Sequence, residues 1–469
     1  MLGASIYVVP FMIQRNVPGI GPYVLPAFLF AAVPAILAAF AYAILASAMP
    51  RAGGSYIYAS RGLHPYLGFV ASFSQWFGLS IAIGVVSYVI VPFIRDIAIA
   101  MEYPATAQWL ELGFVRVGLS LTILWFFVWV NIRGLTLYER TLIPLMYLMF
   151  GLGAIVIVVG FASGPDAFAA ALLLKQNQTI PANTSTFDLM TFLSAAAVLF
   201  SSFIGFDSIA QAGGEAKNPG RSLPLAIAIA VGTVGTFYML FSGAVYHAVP
   251  WQFVAQQAQI TDVTAPGLMS LLLSPGWTVA IVAGAAVALT NDLPAMLLSV
   301  SRLMFAWAED GIFPKQVTRV HPTFKTPHVA IVLSGLMASI GILGSHFAGD
   351  FFLGIDIMVT SMLVNFLFMC LAVITLPSRN PDIAAEIKVV RSRPWQLVLA
   401  WAGVVILSGF LTIHLIKDLT ADVNAWYFHS TPVWLMVMAV ASALYLRERS
   451  RLRSRGIDEH KLFSTLPPE

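Results

Sequence analysis

The sequence predicts an all-α polytopic membrane protein with about twelve transmembrane spans. Hydrophobic residues make up 59% of its 469 residues and charged residues only 10%, whereas soluble domains carry about 25% charged residues. Apolar runs of roughly 20 residues recur along the whole chain, and each is long enough to cross about 30 Å of hydrocarbon. A β-barrel is disfavoured because its strands would appear as short segments of alternating polarity.

The apolar runs define twelve predicted spans, of which the first is truncated and too short to cross a bilayer. Pro, Gly and charged residues are concentrated in the connectors between the runs. The predicted spans are residues 1–14, 23–49, 66–94, 113–132, 141–162, 189–212, 224–249, 277–307, 328–348, 351–376, 395–416 and 431–446.

The positions of Lys and Arg predict the orientation of the chain, because these residues remain on the cytoplasmic side during insertion. If the N-terminus is inside, only five of the 25 basic residues fall in outside segments. Both termini are then cytoplasmic. The short loops predict the inner (plasma) membrane of a prokaryote. The five outside residues are Arg15, Arg95, Arg116, Lys175 and Lys417.

Two segments combine small residues with an apolar context, and each opens a group of five spans. The first is Gly3-Ala4-Ser5, and the second is FSSFIGFDSIAQAGGE at 200–215. Paired interrupted helices of this kind indicate a substrate site near the bilayer midplane, because unwound backbone is tolerated there only where it lines a cavity. The predicted divisions are a first five-helix repeat (1–162), a second, inverted repeat (189–376), two accessory helices (395–446) and a basic cytoplasmic tail (447–469).

Four motifs resemble those of the amino acid–polyamine–organocation transporters. GASIYVVP (3–10) resembles the first-helix motif of that family, and PRAGGSYIYASR (50–61) resembles its first cytoplasmic loop. FIGFDSIAQAGGEAKNPGRSLP (203–224) is similar to the sixth helix and following loop, and SRLMFAWAEDGIFP (301–314) to the end of the eighth helix. The resemblance implies a leucine-transporter-like fold, with two inverted five-helix repeats plus two C-terminal helices.

The resemblance also implies a substrate pocket between helices 1, 3, 6 and 8. The substrate carboxylate would meet backbone N–H groups at Ala4 and Ser5, where a helix N-terminus favours an anion. The amine would meet carbonyls at Ser201 and Ile204, and at the residue aligned with Met1. In the family the last residue of the first triplet is Gly, so the side chain of Ser5 would either crowd the carboxylate or donate a hydrogen bond to it. The implied substrate-binding residues are Gly3, Ala4, Ser5, Ile6, Ser201, Ser202, Ile204 and Gly205.

The family has a further half-helix before the first motif, so we expect the natural start to lie upstream of Met1. Acidic groups at membrane depth are costly and usually functional, which makes Asp207 and Asp292 candidates for the pocket or for ion coupling. For each, a structural role is the alternative: a local hydrogen bond at Asp207 and capping beside Pro294 at Asp292. Glu215 is a gating or helix-pairing candidate, and Ser301 resembles a hydroxyl that contributes to sodium sites in this fold.

These features predict a secondary active transporter of amino acids or related amines that works by alternating access. A polyamine or organic-amine permease, an amino acid exchanger and a non-transporting amino acid sensor on the same fold are alternatives. The predicted fifth span has no Lys to stand in for sodium, so proton coupling, sodium coupling and exchange all stay open. No cofactor or bound metal is expected, and the sequence contains no nucleotide-binding motif.

The remaining class predictions concern chemistry and partners. The sequence has no H-E-x-x-H motif, G-x-S-x-G motif or cysteine pair, which argues against an enzyme. Residues 95–112 contain no Cys, so no disulfide-linked heavy chain is expected, and the sole cysteine is Cys370. The expected partners are a small-molecule substrate and the lipid bilayer, and the net charge of +3 gives no reason to expect nucleic acid.

Overall fold

The computed structural model describes residues 4–134, 136–211, 213, 216, 218–423 and 425–467. These residues form helices joined by short connectors, as the sequence predicts. Within these described ranges, ten helices are long and apolar enough to cross a bilayer. Two further helices, Met146–Ala162 and Pro165–Gln176, meet at 96° and make an eleventh candidate if they count as one span. The prediction of an all-α polytopic membrane protein is confirmed.

Thirteen helices are labelled here in chain order, and shorter helices are given by their residues. They are α1 (Val9–Asn16), α2 (Val24–Ala48), α3 (Pro65–Ala100), α4 (Gly113–Arg133), α5 (Thr136–Ala162), α6 (Leu189–Leu199), α7 (Asp207–Gln211), α8 (Pro219–Ala248), α9 (Pro275–Glu309), α10 (His328–Phe347), α11 (Phe352–Arg379), α12 (Arg393–Thr420) and α13 (Ser430–Ser454).

The helix at the centre of the molecule is α3, whose most apolar stretch is 89% buried. It packs against α9, α10 and α11, whereas α2 packs against α8. The sequence predicted that this span ends at residue 94, but α3 continues to Ala100. Within this continuation Arg95 and Asp96 form an ion pair of 2.7 Å, so that neither buried charge is unpaired.

The helices at the predicted interruptions are broken. A 3-10 turn, Ala4–Tyr7, precedes α1, and Val8 between them has a non-helical backbone (φ −130°, ψ −56°). α6 continues as a 3-10 turn to Phe203 and then stops at Ile204, which is extended. Gly205 has φ +127°, a conformation that glycine adopts far more readily than other residues. Pro294 lies inside α9, which is a helix throughout Pro275–Glu309.

Candidate functional site

A cavity of about 150 Å³ lies where the two interrupted segments meet the central helices. α1 contributes Val9, preceded by Val8, and the break between α6 and α7 contributes Ser201, Ile204, Gly205 and Ser208. The remaining walls come from α3, α9 and α11, and from Phe351, the residue before α11. The cavity is therefore enclosed by elements from both halves of the chain. Its other lining residues are Leu79, Ala82, Val85, Val86, Val89, Leu289, Asp292, Ala295, Met296, Phe351, Ile355 and Met358.

Four of the residues predicted from the sequence line this cavity: Ser201, Ile204, Gly205 and Asp292. Ser201 is only 5% exposed, and its hydroxyl has no hydrogen-bond partner among the described residues. A buried hydroxyl usually has a partner, since leaving it unpaired costs about 1–3 kcal/mol. Ser201 can therefore donate to, or accept from, a polar molecule in the cavity.

Other predicted residues lie outside the described wall of the cavity. Ile6 and Ser202 are buried in the packing between helices, whereas Val8 and Val9 line the cavity instead. The backbone of Ala4 and Ser5 forms the 3-10 turn before α1. Whether these residues contact a substrate stays a prediction. Two further predicted residues, Gly3 and Glu215, lie outside the described residues.

Asp207 supports the helix break and is fully buried behind the cavity wall. Its Oδ1 accepts a hydrogen bond of 2.9 Å from the backbone N–H of Gly205, and its Oδ2 accepts one of 2.5 Å from Nε2 of Gln75. Gln211 donates to Oε1 of Gln75 at 3.3 Å and to Oγ of Ser55 at 3.0 Å. Through Gln75, the central helix α3 is therefore connected to both ends of the short helix α7.

The polar network extends beyond Ser55 to two more helices. The hydroxyl groups of Tyr42 on α2 and Ser55 are 2.6 Å apart, and Asn365 on α11 donates to the Tyr42 hydroxyl at 2.7 Å. The broken helix is thus joined by hydrogen bonds to α2, α3 and α11. A hydrogen-bonded network of this kind fixes the geometry of the elements it connects.

Ser301 is fully buried and donates a hydrogen bond of 2.9 Å to the carbonyl of Leu298 within α9. It does not line the cavity in the part of the chain that the structure describes. The same described residues contain no group of three or more His, Cys, Asp or Glu side chains suited to a metal ion. A role for Ser301 in sodium coupling stays a prediction.

At one end of the helices, Asp262 joins three arginine residues. Its Oδ1 is 2.9 Å from Arg15 and its Oδ2 is 2.7 Å from Arg116. Its backbone carbonyl accepts a hydrogen bond of 2.9 Å from Arg95. We call Arg15, Arg95, Arg116 and Asp262 the Asp262 cluster. It connects α1, α3 and α4 with the loop before the short helix Ala265–Met269.

The pKa of Asp262 reflects two opposing effects. Burial by itself raises the pKa of this carboxyl, but the guanidinium groups of Arg116 and Arg15 outweigh burial and hold the pKa below its ordinary value. Asp262 is therefore ionised throughout the neutral range. The cluster connects to the cavity through Arg15, which is 3.4 Å from Asp350, the neighbour of the lining residue Phe351.

At the other end of the helices, Arg61 and Asp310 form a buried bidentate ion pair. The Arg61 nitrogens lie 2.6 and 3.1 Å from the two Asp310 oxygens, and Tyr56 donates to Asp310 at 2.5 Å. We call Tyr56, Arg61 and Asp310 the Asp310 cluster. Arg61 comes just before α3 and Arg95 is near its end, so about 45 Å of helix separates the two clusters.

Sequence reasoning missed several residues of this arrangement. Gln75, Ser208 and Asp262 carry no motif, and the lining residues of α3 are ordinary apolar residues of a span. The outside assignment of Arg15, Arg95 and Arg116 was a signal that could have indicated a cluster. Three cations that face the same end of the protein are expected to have an acidic partner.

Comparison with known proteins is consistent with this architecture. The sequence profile of the amino acid permease family matches residues 1–441. A branched-chain amino acid permease of Bacillus subtilis is 31% identical over 281 residues, which are 58% of this chain and 55% of that permease. A methylthioribose transporter of the same organism is 25% identical over 482 residues, 96% of this chain and 91% of the transporter.

A third relative comes from a mammal. The mouse cationic amino acid transporter 4 is 29% identical over 357 residues, 72% of this chain and 52% of that protein. The chain thus spans about half the length of two of these three relatives. The family and the relatives are transporters rather than enzymes, which confirms the prediction that this chain is not an enzyme. The chain belongs to the amino acid permease family of the amino acid–polyamine–organocation superfamily.

Proposed function

We propose that this chain is a secondary active transporter that carries amino acids or closely related amines by alternating access. The observation that carries the proposal is the cavity at the break between α6 and α7. There Ser201 has a buried hydroxyl with no partner among the described residues, and the wall includes the extended backbone of Ile204 and the positive-φ backbone of Gly205. The N–H of Gly205 is already bonded to Asp207, so the hydroxyl and backbone C=O groups at the break are suited to the ammonium group of an amino acid.

The two ionic clusters support alternating access. The Asp262 cluster connects α1, α3 and α4 at one end of the helices. The Asp310 cluster joins the segment before α3 to the end of α9 at the other end. Opening either end while the other remains closed requires separating one set of ion pairs at a time. We propose that these clusters are the two closures.

The arrangement of the chain in the membrane follows the same reasoning. We propose that residues 1–162 and 189–376 are inverted repeats and that both termini are cytoplasmic in an inner membrane. The distribution of Lys and Arg supports this orientation. All three arginine residues of the Asp262 cluster are predicted to lie outside, so this cluster would be the outer closure and the Asp310 cluster the inner one.

The energy source would be an ion gradient or a counter-substrate. Asp292 in the cavity wall and Asp207 behind it are the carboxyl groups best placed to couple a proton to the break. Uptake into proteoliposomes tests the proposal, with labelled amino acids and polyamines and with imposed proton or sodium gradients. Uptake driven by a gradient identifies the coupling ion, and uptake only into preloaded vesicles identifies an exchanger. Substrate binding without flux in either format would contradict transport and indicate a sensor.

Accessibility to thiol reagents tests the alternation itself. Cys370 is the sole cysteine of the chain and is buried, so a Cys370→Ala background permits labelling at a single introduced cysteine. Ser208→Cys places that cysteine in the cavity wall. Alternating access predicts labelling by impermeant reagents from either side, with substrate changing the two rates in opposite directions. Rates that rise or fall together on both sides would contradict it.

A further inference from the structure

The chemistry of the cavity wall points to the class of substrate. Three polar side chains, Ser201, Ser208 and Asp292, lie among the described lining residues, and every other described lining residue is aliphatic, methionine, phenylalanine or glycine. Two of the polar residues, Ser201 and Ser208, flank the helix break, where the amino and carboxyl groups of a substrate are expected. The long α3 wall, from Leu79 to Val89, is entirely apolar in its lining positions.

The size of the cavity sets a limit on the substrate side chain. An apolar cavity of about 150 Å³ in a protein accommodates a molecule of the size of benzene. The volume of this cavity is about 150 Å³, and its polar end at the helix break must also hold the amino and carboxyl groups, so the remaining space favours a compact side chain of three or four carbons. An indole ring and a guanidinopropyl chain are both larger than benzene, so each leaves less of this space for the amino and carboxyl groups.

The charge of the cavity wall also favours a compact aliphatic side chain. A cationic side chain entering a largely apolar cavity needs a counter-charge, because an unpaired buried charge is strongly unfavourable. Asp292 is the carboxylate in the described wall, and it already interacts within the protein. A cationic side chain would have to compete with that interaction. An aliphatic side chain has no such cost and gains roughly fourfold in affinity for each buried CH₂ group, or about 0.8 kcal/mol.

We infer that the cavity selects neutral amino acids with branched aliphatic side chains, namely valine, leucine and isoleucine. The inference rests on the proposed transport function and makes it specific. Ala82 and Met296 are the residues that we assign to size selection, because they line the cavity from α3 and α9 respectively. A larger residue at Ala82 reduces the space for the side chain, and a smaller residue at Met296 increases it.

Counterflow into proteoliposomes tests the inference whichever ion drives transport, because the substrate gradient itself supplies the energy. Vesicles are loaded in turn with each candidate, and entry of the same labelled compound is measured for leucine, valine, isoleucine, arginine, lysine, phenylalanine, tryptophan, putrescine and methylthioribose. We expect the three branched-chain amino acids to exchange at least tenfold faster than arginine, lysine or tryptophan. Faster exchange of arginine or lysine would overturn the inference and leave amino acid transport standing. Exchange of methylthioribose alone, or of no compound by folded protein, would overturn the proposed function itself.

Two variants test the assignment to this cavity. Ala82→Val should slow isoleucine and leucine exchange at least fivefold relative to exchange of labelled alanine, a smaller substrate added to the panel for this comparison. Met296→Ala should raise the phenylalanine-to-leucine exchange ratio at least fivefold. Met436→Ala is the matched control, because Met436 is 52% exposed on α13 and its truncation leaves the cavity unchanged. If Ala82→Val does not fold, Met296→Ala still tests the assignment. Unchanged ratios in a folded Met296→Ala protein would overturn the role of this wall in selection.

Discussion

Gln75 donates a hydrogen bond of 2.5 Å to Asp207, and both side chains are fully buried. This bond joins the central helix α3 to the helix that restarts after the break at Gly205. Asp207 holds the Gly205 N–H with its other carboxylate oxygen at 2.9 Å. The geometry of the break thus depends on a side chain in a different span, 132 residues away in sequence.

The first prediction concerns this pair. Gln75→Leu leaves one oxygen of the buried Asp207 carboxyl without its donor, and an unsatisfied buried polar group costs about 1–3 kcal/mol, or more for a charged group. We expect a lower thermal melting temperature in detergent and at least a tenfold loss of uptake. Ser80→Ala is a control on the same helix, because the buried Ser80 hydroxyl has no partner among the described residues. A Gln75→Leu protein with wild-type uptake would contradict the structural importance of the bond.

The second prediction concerns the backbone at Gly205. Its φ of +127° is strained for any residue with a Cβ atom, at a cost of about 1–3 kcal/mol. Gly205→Val should abolish uptake by moving the backbone groups that line the cavity, and Gly205→Ala should reduce it. Gly151→Ala is the matched control, since a Cβ at this position on α5 meets nothing within 4 Å. Wild-type uptake by Gly205→Val at normal expression would contradict the site assignment. The sequence makes the same prediction for Gly3→Val.

The third prediction concerns the Asp262 cluster as a closure. Asp262→Asn removes the charge that holds Arg15 and Arg116 together, so those cations repel each other. We expect a cysteine at Ser208, in the Cys370→Ala background, to react at least fivefold faster with an impermeant thiol reagent from that side. Asp188→Asn is the control, because Asp188 is an exposed acid whose contacts are local to the start of α6. An unchanged rate would show that another contact closes this end.

The fourth prediction is the pH dependence of stability at Asp262. Its pKa in the folded protein is below the ordinary value of about 3.9. A carboxyl with a depressed folded-state pKa contributes stability fully above its ordinary pKa and loses it as the pH falls through the folded-state value. The melting temperature of wild type should therefore exceed that of Asp262→Asn by a constant amount from about pH 8 to about pH 5. The difference should shrink below about pH 4, and a difference that grew on acidification would contradict the assignment.

The fifth prediction concerns the buried pair at the opposite end. Asp310→Asn leaves the Arg61 guanidinium buried and without its bidentate partner, and breaking such a pair costs about 3–5 kcal/mol. We expect a large fall in melting temperature. Arg61→Lys keeps the charge but cannot form the bidentate geometry, so it should lower the melting temperature less than Asp310→Asn does. Arg455→Lys, an exposed position in the basic tail, is the control. Equal melting temperatures for Asp310→Asn and wild type would show that the pair does not stabilise the fold.

The sequence alone predicted most of the fold. Runs of apolar residues long enough for a bilayer predict helices wherever they occur, because backbone groups in hydrocarbon must be satisfied within the segment. Several observed helices are longer than predicted, as at α3, which continues beyond residue 94 through the paired charges of Arg95 and Asp96. The break near Ile204 and Gly205 was also predictable from the sequence, because small residues in an apolar run are unusual.

The site was only partly predictable. Ser201, Ile204, Gly205 and Asp292, all named from the sequence, line the cavity. Asp207 lies behind the wall and supports the break. The partners of these residues could not be predicted, because Gln75 and Asp262 have no distinguishing local context and become informative only when distant helices come together.

For this protein the sequence determined which segments enter the membrane, where one helix breaks and which end each basic residue is expected to occupy. These properties follow from composition, length and local conformational preference, which act over a few neighbouring residues. The tertiary structure decided which side chains form the cavity wall and which arginine residues surround Asp262. Those outcomes depend on packing and Coulomb interactions between residues far apart in sequence, such as Arg15 and Asp262, and no single segment contains that information.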